Sequence, residues 1–155
     1  MSGDDRLLAD DAAARDDALE VERSFIVQAP AGSGKTELLI QRYLRLLSIV
    51  DEPEEIIAIT FTRKAAAEMQ YRVVAALRSA AKGERPDQPH EQRTAALAAA
   101  ALQRDADRTW GLLGNPARMR IQTLDSLNGS IARSVPLTSA GGASDTTIVA
   151  NAEMR

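Results

Sequence analysis

The chain contains 155 residues with a formal net charge of −3; 45% of the residues are hydrophobic and 26% are charged. This balance predicts one compact globular domain and excludes a fibrous or disordered chain. The absence of cysteine and the presence of a single histidine, His90, exclude a disulfide framework, a thiolate metal site and a His-rich metal cluster. No apolar run approaches the roughly 20 residues of a membrane span, and the N-terminus is acidic where a signal peptide is basic. We therefore expect a cytoplasmic protein without a membrane partner.

Charge is distributed unevenly along the chain. Residues 1–22 hold eight acids and two bases and sum to −6, whereas residues 23–155 sum to +3. A mildly basic body permits nucleic-acid binding without demonstrating it.

The hydrophobic pattern predicts alternating helices and strands. In chain order these are a helix at residues 4–19, a strand at 24–29, a helix at 35–50, a strand at 56–62, helices at 63–81 and 92–107, a strand at 118–123 and a helix at 124–135. The helix at 35–50 is expected to bury one face, formed by Leu39, Tyr43, Leu46, Leu47 and Val50. This order predicts an α/β domain in which helices flank a small parallel sheet of three strands.

A phosphate-binding loop motif lies between the first predicted strand and the next helix. Its sequence is Ala29-Pro30-Ala31-Gly32-Ser33-Gly34-Lys35-Thr36. Gly32 and Gly34 allow backbone N–H groups to approach phosphate oxygens. Lys35 is expected to reach the β- and γ-phosphates, and Thr36 to ligate Mg²⁺. The sequence thus predicts a site for a nucleoside triphosphate with magnesium; the alternative is a plain glycine turn.

Two acids further along the chain superficially resemble the end of a Walker B strand. Asp51 and Glu52 follow an apolar stretch, but the helix that precedes them places Glu52 roughly 24 Å from Thr36. We therefore expect these acids to lie at a solvated helix end rather than beside the phosphates.

A second motif follows the strand at residues 56–62. It brings an aromatic ring together with hydroxyls and cations: Thr60, Phe61, Thr62, Arg63 and Lys64. Neighbouring parallel strands end at the same sheet edge, where ligands bind. An exposed aromatic among such groups suits single-stranded nucleic acid, because bases stack on the ring while cations hold phosphates. The alternative is that Phe61 packs in the core and the charges form a solvated helix face.

Together these motifs resemble those of the UvrD/Rep-like superfamily-one DNA helicases, most closely the AddA-type helicase–nucleases of bacterial double-strand break repair. The loop at 29–36 corresponds to the Walker A motif, and Ile59–Met69 to motif Ia. Residues 121–127, Ile-Gln-Thr-Leu-Asp-Ser-Leu, are similar to motif Ib. The resemblance covers about residues 20–137, with Arg63 where the family commonly has Asn and Asp125 where it often has His.

The resemblance implies a P-loop NTPase with a partial RecA-like sheet, which binds ATP and Mg²⁺ and steps 3′ to 5′ along single-stranded DNA. It assigns ATP–Mg²⁺ to residues 29–36, with Lys35 and Thr36 as the catalytic residues. It assigns DNA contacts to residues 60–64, Thr123 and Ser126, and it implies a possible nuclease or helicase partner subunit.

The expected organisation is an acidic leader at residues 1–22, a partial ATP-binding motor domain at 23–137 and a flexible tail at 138–155. No Walker B strand, arginine finger or second motor domain follows Val135, so we expect the N-terminal part of a larger helicase that is inactive in hydrolysis by itself. The alternatives are a truncated nucleotide-binding module and a P-loop NTPase or kinase of another branch.

Overall fold

A computed structural model describes residues 13–28, 30 and 32–134, and its regular elements largely follow the predicted order. Residues 13–17 are helical. The later helices are α1 (Lys35–Leu47), α2 (Arg63–Ala81), α3 (Pro89–Arg108) and α4 (Leu124–Ser134), and the strands are β1 (Ile57–Thr60) and β2 (Arg120–Thr123). Short 3₁₀ turns at Pro53–Glu55 and Pro116–Arg118 precede the two strands. The predicted tail at 138–155 lies outside the described residues, as do residues 29 and 31.

The two strands form a parallel pair, as the sequence predicts. Ile57 pairs with Arg120 and Thr60 with Thr123, so both strands end at the same edge. One face of the pair packs against α2. On β1, Ile57 and Ile59 are 43% and 51% exposed. The sheet that the described residues form is therefore covered on one side.

The strand predicted at residues 24–29 is not formed in its described part, and this prediction is wrong. Residues 24–28 pair with neither strand, and Ile26 is 99% exposed. Side chains hold this segment instead, since the guanidinium groups of Arg23 and Arg42 lie 5.1 and 5.4 Å from the centre of the Phe25 ring. Arg42 also donates hydrogen bonds of 2.5–2.9 Å to the backbone oxygens of three residues, Ala18, Glu20 and Arg23. The segment is thus attached to α1 by cation–ring and carbonyl contacts rather than by a ladder.

The hydrophobic core lies between α1, α2 and α3. Its fully buried side chains include Ile40, Leu44, Leu47, Val73, Leu77, Leu112 and Met119. Leu39, which the sequence places on the core face, is 51% exposed because it lies outside the arc of α1 that packs on α2 and α3. The helix also ends at Leu47 rather than near residue 50.

Ion pairs close the end of the core that is remote from the glycine-rich loop. Asp51 accepts hydrogen bonds from Arg104, at 3.0 Å, and from Arg108, and its backbone oxygen accepts from the buried Trp110 indole at 3.2 Å. Glu52, the next residue, pairs with Arg118 at 2.8 Å. These acids are therefore engaged in the ion pairs of a helix end, which confirms that they do not form a Walker B site at the loop.

No helix within the described ranges combines the length and apolarity needed to cross a bilayer.

Tyr43 provides a test of the core. Its side chain is 3% exposed, its hydroxyl finds no hydrogen-bond partner among the described residues, and burial raises the pKa of the phenol. We expect Tyr43→Phe to leave the free energy of unfolding unchanged or to raise it by up to about 1 kcal/mol, since an unsatisfied buried group is removed without a cavity. Leu44→Ala, in contrast, should lower it by about 2–5 kcal/mol. Urea denaturation measures both; a loss above about 1 kcal/mol in Tyr43→Phe would show that the hydroxyl is bonded.

Glu54 provides a test of pH dependence. Its hydrogen bonds with the Arg118 guanidinium, at 2.6 and 3.0 Å, hold the pKa of the carboxyl below its usual range. The pair therefore stabilises the fold above the ordinary glutamate pKa of about 4.3 and is lost as pH falls through the lower folded value. We expect the stability difference between wild type and Glu54→Gln to be present at pH 7 and to shrink below about pH 4. Urea denaturation at several pH values measures it, with Glu91→Gln, at an exposed acid of α3, as the control; a difference that does not vary with pH contradicts the assignment.

Candidate nucleotide and nucleic-acid sites

The glycine-rich loop has the backbone conformation that its sequence predicts. Gly32 and Gly34 both have φ of +80°, a region that side-chain-bearing residues rarely adopt. Gly34 is the residue before α1 and supplies no side-chain cap. The first-turn N–H groups of α1 are thus presented at the loop, where the positive end of the helix dipole favours an anion.

Lys35 and Thr36 begin α1 directly after this turn. The Lys35 ammonium donates to the backbone oxygen of Pro30 at 2.5 Å, which folds the side chain over the loop. The N–H of Ser33 contacts the same oxygen at 3.4 Å. Thr36 is exposed, so its hydroxyl is accessible to a ligand at the loop.

These residues border a cavity of about 310 Å³. It is lined by Gly32, Gly34, Lys35, Thr36, Glu37 and Arg72. Its charged lining consists of two cations and one acid, and the acid is bonded to one of those cations. The cavity therefore suits a strongly anionic group such as a polyphosphate. Glu37 and Arg72 are lining residues that the sequence motifs did not identify.

Arg15 is a further residue at the loop that sequence reasoning missed. Its Nη2 donates to the backbone oxygen of Ser33 at 2.7 Å, and a Cβ added to Gly34 would lie 3.3 Å from its Nη1. No local signal could have revealed this contact, because 18 residues separate the partners. Arg15 also borders two further cavities beside the loop, of about 330 and 700 Å³.

The residues of the second motif lie at the carboxyl end of β1. Phe61 is fully exposed, so its alternative placement in the core is wrong. Thr62 caps α2 by accepting the Ala65 N–H at 3.1 Å, and the Thr60 hydroxyl donates to the backbone oxygen of Thr62 at 3.0 Å. Residues 63–64 are exposed. The edge therefore presents an aromatic ring and two cations to solvent.

Thr123 and Ser126 lie at the corresponding end of β2. The register pairs Thr123 with Thr60, which brings the two motifs to one sheet edge. Thr123 is only 6% exposed, and its Oγ1 accepts the Ser126 N–H at 3.2 Å and lies 2.9 Å from Ser126 Oγ. Ser126 itself is exposed. Thr123 thus acts locally as a helix cap, while the Ser126 side chain reaches the surface.

The donor set at the loop fits magnesium only in part. The described residues contain no cluster of three or more His, Cys, Asp or Glu that could hold a metal. The Thr36 hydroxyl is an oxygen donor that Mg²⁺ accepts, and Mg²⁺ commonly takes its other ligands from substrate phosphates and water. The chain therefore offers a magnesium site that phosphates would complete.

Comparison with known proteins locates the chain in a family. The model for the UvrD/REP helicase N-terminal domain matches residues 11–150. The chain is 41% identical over 69 residues to the A-type subunit of the ATP-dependent helicase/nuclease of Desulfitobacterium hafniense, a match that covers 43% of this chain and 5% of that protein. It is 49% identical over 59 residues to DNA helicase II of Salmonella typhimurium, covering 37% of this chain and 8% of that protein.

A third relative, the A-type subunit of the ATP-dependent helicase/nuclease of Listeria monocytogenes, is 40% identical over 79 residues, covering 48% of this chain and 6% of that protein. The matches thus span only 5–8% of the length of these three relatives. No solved structure gives a significant match. Because the family model covers most of the sequence, the chain belongs to the UvrD/REP helicase N-terminal domain family.

Proposed function

We propose that this chain is the ATP-binding N-terminal portion of an ATP-dependent DNA helicase with a P-loop NTPase fold and a partial RecA-like sheet. The observation that carries the proposal is the loop at residues 30–36. Its glycines are left-handed and its lysine folds over an uncapped helix N-terminus. A chain in this family with such a loop has the groups that a triphosphate needs.

The nucleotide roles follow from the chemistry of the loop. The first-turn N–H groups of α1 bind phosphate oxygens, the Lys35 ammonium neutralises the β- and γ-phosphates, and the Thr36 hydroxyl ligates Mg²⁺. Bound magnesium would bridge phosphate oxygens and offset their charge. The described residues offer no acid at the loop that is free to activate water, since both carboxylate oxygens of Glu37 are hydrogen-bonded. We infer that the 155-residue chain binds ATP without hydrolysing it.

The DNA roles follow from the sheet edge. Phe61 stacks on a base of single-stranded DNA, and Arg63 and Lys64 contact phosphates. Ser126 adds a hydroxyl contact, while Thr123 supports it as a cap and is itself too buried to offer a broad contact. The support is the full exposure of the ring beside two cations.

The larger activity is inferred from the relatives. Two of them carry names that describe one subunit of an ATP-dependent helicase/nuclease, which leads us to propose 3′-to-5′ translocation in DNA repair, with a nuclease or helicase partner subunit. These functions belong to an assembly in which this chain provides the first nucleotide-binding elements.

Lys35→Ala tests the nucleotide role. ATP with Mg²⁺ at about 100 times its Kd should stabilise the wild-type chain by about 2.7 kcal/mol, which corresponds to a rise in Tm of roughly 5–10 °C. Lys35→Ala should abolish that rise, because the cation over the phosphates is lost, and no phosphate should be released by either protein. Differential scanning calorimetry measures the shift, and Lys82→Ala, at an exposed lysine at the end of α2, should keep it. An equal shift in wild type and Lys35→Ala would contradict the assignment.

Phe61→Ala tests the DNA role. Loss of one stacking platform should weaken binding of a fluorescein-labelled oligothymidine by roughly 5- to 150-fold, since base–aromatic stacking contributes about 1–3 kcal/mol. Fluorescence anisotropy gives the Kd. Tyr71→Ala, which removes another exposed aromatic of the same region, is the matched control and should change the Kd by less than about twofold. If Phe61→Ala and Tyr71→Ala bind equally well, Phe61 is not the DNA contact.

A further inference from the structure

Glu37 is an acid beside the phosphate loop whose carboxylate is held from two sides. It lies in the first turn of α1 and lines the same cavity as Lys35. Arg72 of α2 places Nη2 2.6 Å from Glu37 Oε2, and Thr94 of α3 places Oγ1 2.5 Å from Oε1. Both oxygens of the carboxylate are therefore fixed by side chains of other helices.

The Thr94 hydroxyl directs its proton to Glu37. It has one proton and two acceptors within reach, Glu37 Oε1 at 2.5 Å and the backbone oxygen of His90 at 3.1 Å. The shorter contact to the charged acceptor is the stronger one. Gln41, which is 5% exposed, donates its Nε2 to Thr94 Oγ1 at 3.0 Å. A buried amide thus fixes the hydroxyl that fixes Glu37.

Stability alone does not account for this arrangement. The side chains of Arg72 and Glu37 are 36% and 22% exposed, and an ion pair so close to solvent contributes only about 0–1 kcal/mol. An acid beside a phosphate site also opposes the ligand unless a cation neutralises it. Its structural consequence is orientation, because Glu37 fixes the Arg72 guanidinium on the wall of the cavity that Lys35 and Thr36 also line.

We propose that Glu37 is a positioning residue, which holds Arg72 as a second cation for the terminal phosphate of the nucleotide bound at the loop. The planar guanidinium has five donors, so it can remain paired with Glu37 while other N–H groups bind a phosphate. Lys35 and Thr36 act on the same end of the triphosphate. The inference rests on the proposed nucleotide function and adds discrimination between ATP and ADP, because ADP lacks the group that Arg72 would bind.

Calorimetric Kd values for ATP and ADP, each with Mg²⁺, test the proposal in the full 155-residue chain. Arg72→Met should raise the Kd for ATP about tenfold or more, the loss expected for a hydrogen bond to a charged group, and the Kd for ADP less than about twofold. Glu37→Ala should reduce the ratio of the two Kd values by a similar factor. In the double variant the ratio should fall no further than in Arg72→Met, since one residue acts through the other.

Controls separate positioning from loss of structure. Glu37→Gln keeps the shape of the side chain and should restore part of the ratio, and Arg72→Lys keeps the charge and should do the same. Glu68→Gln, at an exposed acid of α2, should leave the ratio at its wild-type value. Thermal unfolding without nucleotide verifies that each variant folds, and the two conservative variants carry the test if Arg72→Met does not.

Two results would overturn the inference while leaving the nucleotide site intact. One is a ratio that Glu37→Ala leaves unchanged; the other is effects of Glu37→Ala and Arg72→Met that simply add. If wild type shows no Lys35-dependent binding of either nucleotide, the proposed function fails and the inference fails with it.

Discussion

The left-handed backbone at Gly34 is the constraint on which the candidate nucleotide site depends. Its φ of +80° turns the chain so that α1 starts at once, with the Leu38 N–H bonded to the Gly34 oxygen at 3.1 Å. The Arg15 guanidinium occupies the space beside it, so a side chain is disfavoured there by conformation and by contact. The direction in which the α1 N-terminus points, and with it the anion-binding capacity of the loop, follows from this one residue.

The core behind the loop keeps α1 in place. Ile40 and Leu44 are buried between α2 and α3, while Glu37 and Arg42 use polar contacts to hold α2, α3 and the segment before the loop. Arg72 lies nine residues after the start of α2, which corresponds to about 14 Å of helix axis. A single helix therefore connects the cavity at the loop with the sheet edge that bears Phe61.

Sequence reasoning was most successful where one residue type has one physical use. The positive φ of Gly32 and Gly34, the Thr62 cap and the parallel pairing of β1 with β2 all follow from local rules of chain geometry. The strand predicted at residues 24–29 has the right composition, but a strand forms only with a neighbour, and alternation along the chain cannot reveal whether a neighbour is present. For Phe61, composition left core and surface both open, and only the placement of β1 decided for the surface.

The contacts that sequence reasoning missed are long-range polar ones. Arg15 with Ser33 and Glu37 with Arg72 join residues 18 and 35 positions apart, and arginine and glutamate on exposed helix positions are usually solvated. Only the packing angles of the helices bring these groups to the loop.

The most direct test of the central claim is a ¹H–¹⁵N NMR titration of the chain with ATP and excess Mg²⁺. If the amides at the start of α1 hold the phosphates, the largest shifts should fall on residues 32–37, with little change at residues 51–54 at the opposite end of the helix. Shifts absent from residues 32–37, or spread evenly over the chain, would contradict the account.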